Sequence, residues 1–154
     1  MNIGVISDTH GHFDSTIREL FAGVDRILHG GDVGLSSVLR ELATIAAVTA
    51  VRGNTDDPHC GLNDTEVVEL AGRKFLLQHI VNPRAPSDQL KRCLAQEKPD
   101  IVVFGHTHRP FCETIEGKLF LNPGYAGKRK FGLERSVAIL HCHGKNIRPE
   151  ILPL

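Results

Sequence analysis

Apolar positions along this 154-residue chain fall into short runs, most of them ending at a glycine or a polar cluster. In the first half these runs alternate with segments of helical spacing. Asn2 to Ser7 reads as a strand, and Ser15 to Ala22 as a helix capped by Asp14 or Ser15. Val24 to Leu28 is a second strand, and Ser36 to Ala43 a second amphipathic helix. Ile45 to Val51 is small, β-branched and apolar, the pattern of an interior strand covered on both faces. The second half is richer in strands. Glu66–Leu70 and Lys74–His79 flank a turn at Ala71-Gly72-Arg73, and Phe111–Ile115 and Lys118–Leu121 flank Glu116-Gly117. Ser136–His141 and Asn146–Leu152 flank His143-Gly144-Lys145, while Pro86–Glu97 reads as a helix before the strand Asp100–Phe104. Helix-separated strands followed by hairpins predict an α/β fold: one mixed sheet, or two packed sheets with helices outside.

The polar residues cluster where the strands end. Asp8 and His10 follow the first strand, and Asp32 follows the second in His29-Gly30-Gly31-Asp32. Asn54 follows the third in Arg52-Gly53-Asn54, His79 ends Phe75-Leu76-Leu77-Gln78, and His106 and His108 leave Val102-Val103-Phe104-Gly105. Ligands of open α/β sheets bind beyond the carboxyl ends of strands, so these residues are read as one site. Each fragment alone has a plainer explanation. Asp8 could cap a helix, Gly53-Asn54 could be turn chemistry, and His79 could be a satisfied core histidine. Together they supply two carboxylates, one amide and four imidazoles. That is more than a four-coordinate structural zinc takes, and it contains no thiolate. The set suits two divalent cations sharing a bridge, with Asp32 placed to give one oxygen to each. His29 is assigned to packing or to support of the loop.

Composition narrows the partners. Eighteen Lys plus Arg balance eighteen Asp plus Glu, and aromatic residues are 5% with no Trp, which disfavours nucleic acid. The chain length fits one domain over 1–154. No apolar run suits a membrane span, and the opening residues read as a strand in place of a secretion signal. Cys60, Cys93, Cys112 and Cys142 show no C-x-x-C and are expected to be reduced, partly buried thiols of a cytoplasmic protein. Homo-oligomerisation stays open. His12, His59, His141 and His143 have no spacing partner and are expected at the surface. Lys128-Arg129-Lys130 is either a phosphate-facing patch or a solvated basic turn.

The order D-x-H, G-D, G-N, H, G-H-x-H, carried by Asp8-Thr9-His10, Gly31-Asp32, Gly53-Asn54, His79 and Gly105-His106-Thr107-His108, resembles the calcineurin-like metallophosphoesterase superfamily. With Asn122-Pro123-Gly124 the resemblance spans roughly residues 2–124 and is nearest the small YfcE-type phosphodiesterases. It implies a four-layer αββα sandwich, two mixed β-sheets flanked by helices. Asp8, His10, Asp32 and His108 would hold one metal, and Asp32, Asn54, His79 and His106 the second. A bridging hydroxide would attack phosphorus in line while Asn54 steadies the phosphoryl oxygens, making Asn54 and Asp32 the catalytic pair. The implied activity is a metal-dependent phosphodiesterase, a hydrolase acting on a small phosphoester, with monoester cleavage secondary. The ions are Mn²⁺ by preference, or Fe, Zn²⁺ or Ni²⁺. Two positions depart from the family pattern. Thr55 stands where many members have a histidine that protonates the leaving oxygen, which favours activated diesters. Ile80 stands where glycine is usual after His79. The alternative function is a protein-interaction scaffold of the same fold, like the retromer subunit.

Overall fold

The computed structural model describes residues 1–144 and 146–154. Among the described residues, ten strands form two five-stranded mixed sheets. The first is built from β1 (Asn2–Ile6), β2 (Arg26–His29), β3 (Ala47–Ala50), β9 (Ser136–His143) and β10 (Asn146–Pro153), in the order β10-β9-β1-β2-β3. The second holds β4 (Thr65–Leu70), β5 (Arg73–Gln78), β6 (Ile101–Val103), β7 (Phe111–Ile115) and β8 (Lys118–Asn122), in the order β4-β5-β6-β8-β7. Of the two sequence alternatives, one sheet or two, the structure takes two.

Alternation along the strands explains the layering. Ile3, Val5 and Leu28 from one sheet meet Phe75, Leu77, Ile101, Val103 and Leu121 from the other in a shared buried core. The opposite face of the first sheet carries Ile6 and Ile27, which pack against Ile17 and Phe21 of α1 (Thr16–Leu20) and its C-cap, and against Val38 and Leu42 of α2 (Ser36–Ala43). On the far side of the second sheet, Leu76 and Val102 pack against Leu90 of α3 (Asp88–Glu97). The result is the helix–sheet–sheet–helix sandwich the resemblance implies.

Element boundaries follow local chemistry. α3 starts two residues later than Pro86, because the Ser87 side chain accepts from Leu90 N–H at 3.2 Å and so caps the helix. α1 is a short turn of helix at Thr16–Leu20, held at its start by Asp14 Oδ1, which accepts from Thr16 N–H at 3.0 Å. The β4–β5 and β7–β8 hairpins turn where expected. Lys145, within the third expected hairpin turn, lies outside the described residues.

One expectation fails. The segment Ile45–Val51 is not an interior strand: β3 covers only Ala47–Ala50, at the sheet edge, with Ala47 exposed and the rest half-buried. Its Ala and Thr side chains are small enough for either environment, so composition alone could not separate a covered strand from a thin edge strand.

The topology positions the site. β1, β2 and β3 run parallel to one another, as do β5, β6 and β8. The loops after β1, β2, β3, β5 and β6 emerge at one end of the sandwich, and all seven candidate residues lie on them.

Candidate metal centre

The loop backbones are bent to aim side chains inward. Of eight non-glycine residues with positive φ among the described residues, five are candidate ligands: Asp8 (56°), His10 (46°), Asp32 (52°), His106 (71°) and His108 (57°). Side-chain-bearing residues rarely adopt this left-handed conformation, which costs of order 1 kcal/mol or more each. Backbone bonds between loops hold them there. Asp8 N–H donates to Gly31 O at 3.0 Å, His10 N–H to Asp32 O at 3.0 Å, and Gly105 N–H to His79 O at 3.0 Å.

Two triads of ligand-type atoms result, Asp8 with His10 and His108, and Asp8 with Asp32 and His79. His108 Nε2 lies 3.2 Å from Asp8 Oδ1, and His10 Nε2 lies 3.3 Å from His108 Nε2. His79 Nε2 lies 3.3 Å from Asp32 Oδ2 and 4.0 Å from Asp8 Oδ1. Asp32 Oδ2 also reaches within 3.8 Å of His10 Nε2, while Asp32 Oδ1 accepts from Thr55 N–H at 2.9 Å. Asp32 therefore turns a single oxygen toward both triads, in place of the one-oxygen-to-each arrangement its chemistry suggested. His106 and Asn54 sit at the exposed mouth, where His106 Nδ1 and Asn54 Oδ1 are 2.9 Å apart. The His106 ring meets the His79 ring edge-on at 5.4 Å between centroids. All seven residues thus converge.

His79 tests whether this cluster suits a cation. Its Nδ1 donates to Gly30 O at 2.7 Å, which leaves Nε2 an acceptor. That nitrogen is fully buried and has no hydrogen-bond partner, and it faces carboxylate oxygens that are acceptors too. Burying an unsatisfied acceptor against two anions is costly unless a cation completes the arrangement. The donor set of carboxylate oxygen and imidazole nitrogen suits Mn²⁺, Fe or Zn²⁺. The residues fit the metals that the sequence implies.

The two carboxylates differ electrostatically. Burial pushes the Asp8 carboxyl above its usual range, against the opposing pull of Ser7 Oγ (2.6 Å), the His79 and His108 imidazoles and His106 N–H. Burial also pushes Asp32 upward, but the Thr55 hydrogen bonds and the His79 and His10 imidazoles outweigh it and hold Asp32 below the ordinary value. Thr55 is thus a positioning residue, its Oγ1 3.4 Å from His10 Nδ1 and its N–H on Asp32.

Behind the ligands lies a supporting layer that the motifs only partly announced. His29 is buried, as its assignment to loop support expected: Gly31 N–H donates to its Nδ1 at 3.2 Å, so its Nε2 donates to Thr9 Oγ1 at 3.0 Å. Burial holds its pKa down at about 4. The folded state therefore keeps His29 neutral while the unfolded chain protonates near 6.5. Stability from this residue is complete above 6.5 and is lost as pH falls toward 4, by about 3 kcal/mol in all. Urea unfolding at pH 7 and pH 5 should show a smaller difference in His29→Gln than in the parent chain.

Asp56 ties two ligand loops together. Its Oδ2 accepts from Val33 N–H (3.1 Å) and Gly53 N–H (2.8 Å), and its Oδ1 from Gly34 N–H (2.7 Å). An Asp56→Ala variant should leave three backbone donors without this partner, those of Val33 and Gly53 buried, lose roughly 1–3 kcal/mol of stability and bind manganese about 10–100-fold more weakly, measured by denaturation and metal titration. Asn122 does the same for the third loop, donating to Gly105 O (2.8 Å) and Thr107 Oγ1 (3.1 Å) while accepting from Gly124 N–H.

Tyr125 escaped the sequence reading. It is buried, with its ring 4.8 Å from that of His108 and 6.0 Å from that of His10. Its place directly after Asn122-Pro123-Gly124 was the available signal. The exposed basic run adjoins the site through it, since Lys130 Nζ sits 5.5 Å over the Tyr125 ring. Of the histidines expected at the surface, His59 and His143 are exposed. His12 and His141 are half-buried, and His141 bridges Asn2 (3.1 Å) and Glu150 (2.8 Å) across β1, β9 and β10. The four cysteines are free, but Cys60 and Cys112 are exposed instead of partly buried.

Residues 1–145 match the calcineurin-like phosphoesterase superfamily domain. The chain belongs to that superfamily. A probable metallophosphoesterase of Methanothermobacter thermautotrophicus is 34% identical over 99% of this chain and 92% of its own length. Among solved structures, an archaeal phosphodiesterase superposes with a TM-score of 0.75 at 26% identity, covering 99% of this chain and 100% of its own. Vps29 of Entamoeba histolytica, solved with zinc, gives 0.77 at 26% identity and 99% coverage of both. The family and these relatives make the chain a phosphoesterase hydrolase with the calcineurin-like fold. No helix among the described residues is long and apolar enough to cross a membrane.

Proposed function

We propose that this phosphoesterase is a dinuclear-metal-dependent phosphodiesterase acting on a small phosphoester, with Mn²⁺ as the favoured ion. The observation that carries the reading is His79 Nε2, buried, unpartnered and aimed at two carboxylates. Asp8, His10, Asp32 and His108 would hold one ion, and Asp32, Asn54, His79 and His106 the other. Bound divalent ions would acidify a water and neutralise charge on the phosphoryl oxygens.

The chain's own groups do the rest. Asp32 and Asp8 would anchor the centre from a buried floor, while Asn54 and His106, at the solvent mouth, would meet an incoming phosphoryl oxygen. Thr55 has no acid to offer a leaving alkoxide, so diesters with acidic alcohols are the better substrates. The neutral net charge and 5% aromatic content argue for a small ester over a nucleic-acid strand, and four free cysteines accord with a cytoplasmic location.

Chelated protein should be inactive on bis-p-nitrophenyl phosphate and regain activity with Mn²⁺. A wild type that binds manganese but stays inert on diester and monoester panels would overturn the reading in favour of the scaffold function. The Vps29 likeness is compatible with that scaffold reading, but the complete ligand set favours catalysis.

A further inference from the structure

Two clefts of contrasting chemistry meet at the metal centre. A polar cleft of about 320 Å³ is lined by Arg52, Asn54, Gln78, His79 and Gln89. An apolar cleft of about 710 Å³ is lined by Val81, Pro83, Phe104, Pro110 and Phe111, with His106 and Thr107 at its inner end. They join where Asn54 and His106 touch at 2.9 Å. Ile80 lines both and is 51% exposed, so its side chain stands as a partition between them.

We infer that the apolar cleft is the seat for an aromatic arm of the phosphodiester, with Arg109 its closing cation; this rests on the phosphodiesterase reading above. Three observations support that occupant. The cleft begins at His106, so an ester arm leaving the phosphoryl position enters it without a spacer. Its floor presents the half-buried Phe111 ring, backed by the buried Phe104 ring at 5.9 Å and tilted to it, so that a further ring would pack on Phe111. At its lip Arg109 is exposed, and its guanidinium has no hydrogen-bond or ion-pair partner among the described residues. An unpaired guanidinium beside an apolar floor is suited to lie over a ring face. The cleft has the volume of a small-molecule site, and the polar cleft beyond Ile80, with its Gln78 and Gln89 amides, leaves room for the second, more hydrophilic arm.

Calorimetric titration of the manganese-loaded protein with phenylphosphonate, methylphosphonate and inorganic phosphate tests this without requiring turnover. Phenylphosphonate should bind about tenfold more tightly than methylphosphonate. Ile80→Ser and Arg109→Gln, both at exposed positions, should each cut that ratio at least to about threefold and leave phosphate affinity unchanged. Phe111→Leu, which keeps most of the apolar volume, should lower the ratio too. Equal binding of the two phosphonates by the parent protein overturns the inference even if diesters are hydrolysed. So does a preference that survives all three substitutions. A preference that is lost in the variants, in a protein that hydrolyses no ester, upholds the cleft and overturns the catalytic reading instead.

Discussion

An Asp32→Ala variant is expected to hydrolyse bis-p-nitrophenyl phosphate at least about a thousandfold more slowly than the parent chain, since the charge stabilisation a metal supplies is worth several kcal/mol. The reason lies in how many constraints meet at one carboxylate. Asp32 Oδ2 is 3.3 Å from His79 Nε2 and 3.8 Å from His10 Nε2, so it is the oxygen that can serve both halves of the centre. Its other oxygen is committed to Thr55 N–H, which sets the orientation. Alanine removes both. Elemental analysis should find fewer than two ions per chain in the variant, and circular dichroism should find the fold retained, because the Asp32 backbone still accepts from His10 N–H. Full activity in a well-folded Asp32→Ala protein would rule out a shared centre at this place.

The second large effect is structural. Gly105→Ala should destabilise the protein by about 3 kcal/mol or more, the upper end of overpacking costs, and abolish metal binding. A Cβ at this position would collide with Ser7 Oγ, lie 2.5 Å from Asp8 Oδ2 and 3.1 Å from His79 Nδ1. All three partners are buried and already engaged, Ser7 with Asp8 and His79 with Gly30 O. None can move without giving up a hydrogen bond. The comparison is Gly117→Ala in the β7–β8 turn, where a Cβ meets nothing within 4 Å. There only the left-handed φ of 75° opposes the change, at roughly 1 kcal/mol. Urea unfolding of the two variants side by side separates steric exclusion at the site from the ordinary cost of a strained turn. Equal stabilities would show that the ligand loops relax freely.

Much of the site was legible because its residues punctuate strands. Asp8, Asp32, His79 and His106 each fall within three residues of a strand end, and parallel strands deliver their carboxyl ends to a common edge. The fold was legible for a related reason. Short apolar runs in β1, β5 and β9 mark strands, and helical spacing in α2 and α3 marks the outer layers. Legibility stopped where one residue type serves two environments. Ala47–Ala50 reads the same at an edge as in an interior, and His141 reads as a lone histidine until β1 and β10 bring Asn2 and Glu150 beside it. Tyr125 carried no motif of its own beyond its neighbours.

Taken by itself, the amino-acid order determined which donors are present and which strands they follow, since both are properties of local pattern. Only the tertiary structure decided their relations. It left His79 Nε2 without a partner, turned one oxygen of Asp32 toward both triads, and set the Asp56 carboxylate across three backbone donors. It also placed Ile80 between a polar and an apolar cleft. These depend on contacts between segments far apart in the chain, which no local spacing encodes. They arise when two separately patterned sheets pack face to face and bring their loop ends within hydrogen-bonding distance.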